Sequence, residues 1–179
     1  MSNNEMMTRT LPAGYLAQAV TTAVYSPQWA VLYPALGLGN EVGELVEKFE
    51  AGAPAEELLA ELGDVLWYVA ALARDCRIAE DGLLWEQRPA PQYASASILH
   101  LVMAAGAAQG HIKKALRDHE GNLDTRRAGV LVELTALLTA ADDIAVYLGS
   151  TIEDVCAANL AKLAGRAARH TLQGDGDVR

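Results

Sequence analysis

Gly37-Leu38-Gly39-Asn40-Glu41-Val42-Gly43-Glu44-Leu45-Val46 and, after a short break, Glu61-Leu62-Gly63-Asp64-Val65-Leu66-Trp67-Tyr68 decide the fold of this chain. Each stretch holds two carboxylates three positions apart with a glycine just before the second. On a helix, residues at that spacing lie side by side, with Cβ atoms roughly 5–6 Å apart. Leu38, Val42, Leu45, Val46 and Phe49 in the first stretch, and Leu58, Leu59, Leu62, Val65, Leu66 and Val69 in the second, recur at helical spacing. The carboxylates therefore sit on or beside the buried stripe. Carboxylates placed there repel one another and lose their hydration. Hard divalent cations with oxygen ligands, Mg²⁺ or Mn²⁺, offset both costs. A glycine inside a helix costs about 1 kcal/mol relative to alanine. Gly43 and Gly63, at matching places, imply that a second helix or a bound phosphate approaches the backbone closely. The competing reading is a solvated acidic face.

Outward from this core, the chain reads as packed helices. Of 179 residues, 51% are hydrophobic but only 6% aromatic, and alanine supplies much of the difference. This composition favours helices over sheets. A helix is expected from Pro12 to about Tyr25, broken by Ser26-Pro27. The next opens at Pro34 and ends near Ala51-Gly52. The third runs from Ala55 to about Arg77, and the short turn between them makes them antiparallel neighbours. Residues 80–95, with Gly82, Pro89 and Pro91, read as a linker. A fourth helix is expected over Ser97 to Arg117 and a fifth over Thr125 to Leu148, ended by Gly149. A sixth is capped by Ser150 or Thr151. Met1 to Thr10 reads as frayed, and His170 to Arg179 as an irregular tail. The fold class is all-α: a bundle with a four-helix core from two helical hairpins, plus N- and C-terminal helices. Residues 1–179 form one domain.

The net charge of −9 gives no basic footprint for nucleic acid. No run of about eighteen uncharged apolar residues exists to span a membrane, and the first residues lack an apolar signal core. Cys76 and Cys156 stand alone, which fits reduced, buried thiols in a cytoplasmic protein. His100, His111, His119 and His170 show no zinc spacing.

Glu41-x-x-Glu44 followed by Glu61-x-x-Asp64 resembles the metal-binding signature of MazG-like all-α nucleoside triphosphate pyrophosphohydrolases. Leu36-Gly37-Leu38 before the first pair and Val65-Leu66-Trp67-Tyr68 after the second strengthen the likeness. So do Asn159-Leu160-Ala161-Lys162-Leu163, Arg166, and Gly174-Asp175-Gly176-Asp177-x-Arg179. The resemblance implies hydrolysis between the α and β phosphates of a nucleoside triphosphate, with Mg²⁺ or Mn²⁺ held by Glu41, Glu44, Glu61 and Asp64. Either all four are ligands of one or two ions, or one of them is the general base. Asn159, Lys162 and Arg166, three and four apart on one helix face, suit phosphate oxygens, and Trp67 and Tyr68 suit the base. Asn40 stands where many members carry a further glutamate, and it offers only a neutral oxygen.

The chain is longer than the family's single-unit members, and the extra part resembles a decayed second copy. Glu133-Leu134-Thr135-Ala136 reads against Glu61-Leu62-Gly63-Asp64, Gly110-His111 against Gly43-Glu44, and Ala108 against Glu41. Residues 11–79 would be the live half, and residues 96–179 the decayed half with the C-terminal helix and tail. Because a fused pair completes the bundle within one chain, a homodimer becomes optional. A role in nucleotide-pool house-cleaning is compatible with all of this. The rival readings are a non-catalytic regulatory protein that binds metal or nucleotide, and a pyrophosphohydrolase of a phosphoribosyl nucleotide in histidine synthesis. A ferritin-like di-iron bundle is disfavoured, since no histidine follows a glutamate by three positions.

Overall fold

The computed structural model describes residues 7–172. Among these, six α-helices carry the fold: α1 (Tyr15–Ala19), α2 (Leu32–Glu50), α3 (Ala55–Asp75), α4 (Ser95–His119), α5 (Arg127–Tyr147) and α6 (Ile152–Ala168). The chain is all-α, as its composition and periodicity predict. Helices α2 and α3 form one hairpin, and α4 and α5 another. Helix α4 packs on α2, while α1 and α6 cover α3. Leu38 and Leu45 of α2, Leu62 and Leu66 of α3, Leu101 of α4, and Leu134, Leu137 and Leu138 of α5 are fully buried in one continuous core.

Turn chemistry explains why the first hairpin closes where it does. Gly52 takes a left-handed φ of 69°. That lets the Ala53 N–H reach back to the Lys48 carbonyl at 3.0 Å and end α2. Pro54 then precedes α3, whose first turn carries Glu56 and Glu57 at the positive end of the helix dipole. At the start of α6, Thr151 caps the helix by accepting from the Asp154 N–H at 3.1 Å.

Four expectations are corrected. The first helix stops at Ala19 and continues only as a 3-10 turn over Val20–Thr22. The Thr21 and Thr22 hydroxyls bond back to the carbonyls of Gln18 and Ala19, both at 2.7 Å. That local bonding and the β-branched run Val20-Thr21-Thr22 end the helix. The second correction concerns the start of the chain. Thr8–Arg9 (β1) is not frayed: it pairs antiparallel with Trp85–Glu86 (β2). Arg9 then grips Glu153 of α6 through both carboxylate oxygens, at 2.8 and 2.9 Å. Third, the stretch expected as a linker is seated in the core. Leu83 and Trp85 are buried, and the Trp85 indole donates to Asp142 at 3.1 Å. Two large apolar side chains cannot be left in water when a bundle is within reach.

Helix α2 also begins earlier than the expected Pro34. Its N-cap is Val31, held at a left-handed φ of 66°. The Leu32 N–H closes a tight three-residue turn on the Ala30 carbonyl at 2.8 Å. For a β-branched residue this conformation is strained. The Val31 N–H donates to Asp75 at the end of α3 at 3.0 Å, which ties the start of one helix to the end of the other.

Candidate functional site

Glu41 of α2 and Glu61 and Asp64 of α3 each turn a carboxylate oxygen toward a common point, all within 4.8 Å of one another. Among the described residues this is the one group of three or more metal-ligating side chains. Hairpin geometry brings it about: α2 and α3 run antiparallel, and the acidic positions of both lie at the edge of the stripe that they bury together. Glu61 is only 1% exposed. Glu44, the fourth expected ligand, stands outside this group and accepts from Asn40 Nδ2 at 2.7 Å. The two therefore face the groove between α2 and α4 and do not join the cluster.

The cluster carries its own positive charge. The Lys162 ammonium lies 2.5 Å from Asp64, and Lys48, one turn after Glu44 on α2, places its ammonium on Glu61. Asn159 is buried and donates to Asp64 at 3.1 Å while accepting from the Tyr15 hydroxyl at 3.2 Å. Gly63 makes this possible. A Cβ there would lie 3.1 Å from Asn159 Cβ, so the glycine lets α6 approach α3. Gly43 has no such neighbour among the described residues, so of the two expected partners a second helix is not the one that approaches it. Glu41 holds its proton up to about 8, first because it is buried and then because Asp64, Glu44 and Glu61 surround it.

Glu41 and Asp64 also line a cavity of about 380 Å³. Its other walls include Tyr25, Tyr33, Trp67, Tyr68 and Arg166. The aromatic rings are fixed in a chain. Trp67 and Tyr68 meet edge to face at 4.8 Å, Tyr68 and Tyr33 at 6.2 Å, and Tyr33 stacks on Tyr25 at 4.7 Å. The Trp67 indole donates to the Ala19 carbonyl at 2.8 Å and to the Thr22 hydroxyl at 3.0 Å. Tyr25 is held by Asp75, to which it donates at 2.8 Å. At Gly37 a Cβ would come within 2.0 Å of the Tyr68 ring. Thus Gly37 is the space in which that ring lies.

Sequence reasoning singled out Trp67, Tyr68, Asn159, Lys162 and Arg166, and each lines the cavity or touches the cluster. It missed Lys48, Tyr15, Tyr25 and Tyr33. Of these, Lys48 alone had a signal, because it recurs four positions after Glu44 and seven after Glu41. The run Gly174 to Arg179 lies outside the described residues. In the second hairpin, Ala108 is fully buried, and Glu133 lines a separate cavity between α4 and α5 with Ala136 and Thr139. The His111 ring fills the space beside Gly129, where a Cβ would come within 2.2 Å of it.

The all-α hairpin thus gathers three carboxylates, an oxygen donor set of the kind hard cations take, beside a cavity walled by aromatic rings. The family model described as MazG nucleotide pyrophosphohydrolase domain matches residues 34–82, which span both helices of that hairpin. Over that segment, about a quarter of the chain, the sequence is similar to the MazG family. No curated protein and no solved structure gives a significant match to the chain. Among the described residues no helix is long and apolar enough to cross a membrane.

Proposed function

We propose that this protein hydrolyses nucleoside triphosphates between the α and β phosphates, giving a nucleoside monophosphate and pyrophosphate. What carries the reading is that Glu41 and Asp64, two of three converging carboxylates, line one cavity with Arg166 and a set of fixed aromatic rings. In this reading Glu41, Glu61 and Asp64 hold a divalent cation, Mg²⁺ or Mn²⁺. The fit rests on three oxygen donors within reach of one point, the donor set that such ions take. Bound there, the cation neutralises triphosphate charge and lowers the pKa of a water. Glu44, bonded to Asn40 in the groove between α2 and α4, stays outside this ligand set.

The chain's own groups do the rest. Trp67 and Tyr68 offer ring faces on which a base stacks. Arg166 meets phosphate oxygens, and Lys162 supplies charge to the leaving pyrophosphate when it turns from Asp64. A carboxylate of the cluster takes a proton from the attacking water as the new P–O bond forms and the bridging P–O bond breaks. Residues 11–79 are the working half and residues 96–179 a decayed copy that completes the bundle, so pairing of two chains is optional. Two free, buried cysteines and a nucleotide substrate suit a cytoplasmic enzyme that clears unwanted nucleotides.

Pyrophosphate release across a panel of ribo- and deoxynucleoside triphosphates, in Mg²⁺ and in Mn²⁺, tests the proposal. Release from at least one of them in a metal-dependent manner is the expected result. A second reading, a regulatory protein that binds metal or nucleotide without turnover, is favoured by the position of Glu44 outside the converging group. Nucleotide binding with no product from any panel member would select it.

A further inference from the structure

Lys48 is the residue of the cluster that the proposed chemistry leaves unused. It projects from α2 on the face that carries Glu41 and Glu44, and its ammonium meets Glu61 across the helix interface. The side chain of Glu61 is 2% exposed and that of Lys48 29%. The pair thus joins a carboxylate that water cannot reach to an ammonium that water can. Lys162 holds Asp64 in the same way from α6. Two of the three converging carboxylates therefore already have a cation.

A divalent ion on Glu61 would stand within a few ångströms of the Lys48 ammonium. Like charges that close repel strongly in a partly dry site. Of the two, Lys48 has the freedom to leave, because its flexible stem ends near solvent. We propose that Lys48 is a resident counter-ion that the divalent cation displaces from Glu61. It holds the buried carboxylate aimed into the cluster while the metal is away, and by competing for it sets how tightly the metal binds. The proposal rests on the reading of Glu41, Glu61 and Asp64 as metal ligands. It predicts that losing the ammonium weakens the metal-free protein and tightens the metal site.

The test is a titration of Mn²⁺ by calorimetry, beside thermal unfolding with and without Mn²⁺, on the full chain and on Lys48→Met and Lys48→Arg. Methionine keeps most of the stem and removes the charge; arginine keeps the charge. Lys48→Met should bind Mn²⁺ about tenfold more tightly than the parent. It should melt lower without metal and regain most of the loss with it. Lys48→Arg should stay near the parent in both. Equal or weaker Mn²⁺ binding by Lys48→Met overturns the proposal. So does a Lys48→Met protein that fails to fold even in millimolar Mn²⁺, since the metal is claimed to take over the work of the ammonium. A parent protein that binds no Mn²⁺ would overturn the metal-site reading itself, an outcome separate from a parent that binds while Lys48→Met shows no gain.

Discussion

Gly37→Ala separates the cavity from the fold more cleanly than any acidic substitution does. The new methyl would sit 2.0 Å from Tyr68 Cε1, 2.3 Å from Cζ and 2.7 Å from Cδ1. Ordinary carbon contacts begin at about 3.5 Å, so the ring has to move. Helix α2 closes one side, and the open side is the cavity that holds Glu41 and Asp64. Displacement puts at risk the edge-to-face contact with Trp67 at 4.8 Å and the tilted contact with Tyr33 at 6.2 Å. Each such pair contributes about 0.5–1.5 kcal/mol. Against that stands the gain of about 1 kcal/mol for alanine over glycine inside a helix. The net loss is about 0–2 kcal/mol, which in a chain of this size lowers Tm by at most about 8 °C. Nucleotide binding fares worse, because the ring that offers the stacking face now obstructs it. Losing one stacked base costs about 1–3 kcal/mol, about 5- to 150-fold in Kd.

Scanning calorimetry and titration of a nucleoside monophosphate in Mg²⁺ measure the two effects separately. Gly43→Ala is the control on the same helix. Nothing lies within 4 Å of its would-be Cβ. It should therefore gain about 1 kcal/mol and about 2–4 °C while binding nucleotide as the parent does. Parent-like nucleotide affinity in Gly37→Ala would refute the placement of the base against Tyr68.

Other outcomes follow from the same geometry. Asp64→Asn keeps an acceptor for Asn159 but removes a charged ligand. It should abolish pyrophosphate release and most of the rise in Tm that millimolar Mn²⁺ gives the parent; an undiminished rise would remove Asp64 from the ligand set. Glu41 binds its proton more tightly in the folded chain than in the unfolded one. Metal-free stability should therefore fall as pH rises from the ordinary carboxyl range to about 8. Denaturant titrations in chelator should show that slope, and Glu41→Gln should flatten it. Glu61→Ala should eliminate turnover, whereas Glu133→Ala, in the second hairpin, should leave pyrophosphate release within about twofold of the parent. A matching loss in both would make the second half catalytic.

Much of this could be read from the chain alone. Apolar residues at helical spacing, an alanine-rich composition and turn residues such as Gly52 and Gly149 specify six helices. These signals act within a few residues of one another. The same local rule places Glu61 and Asp64 side by side on α3. Where the rule failed, a contact distant in sequence had intervened. Thr8–Arg9 is ordered by Trp85–Glu86, and the supposed linker is drawn into the core by Leu83 and Trp85.

Tertiary structure alone decided which of the four carboxylates reach the centre. Residues three apart on a helix are not parallel: they diverge by about 60° around its axis. The angle at which α3 meets α2 therefore lets Glu41 face Glu61 and Asp64, while Glu44 turns to Asn40 at the rim. Packing likewise supplied what no spacing announced: Lys48 on Glu61, Tyr15 behind Asn159, and Tyr25 and Tyr33 beside Tyr68. Periodicity can say that a side chain lies on a helix face, but only the neighbouring helix determines what that face meets.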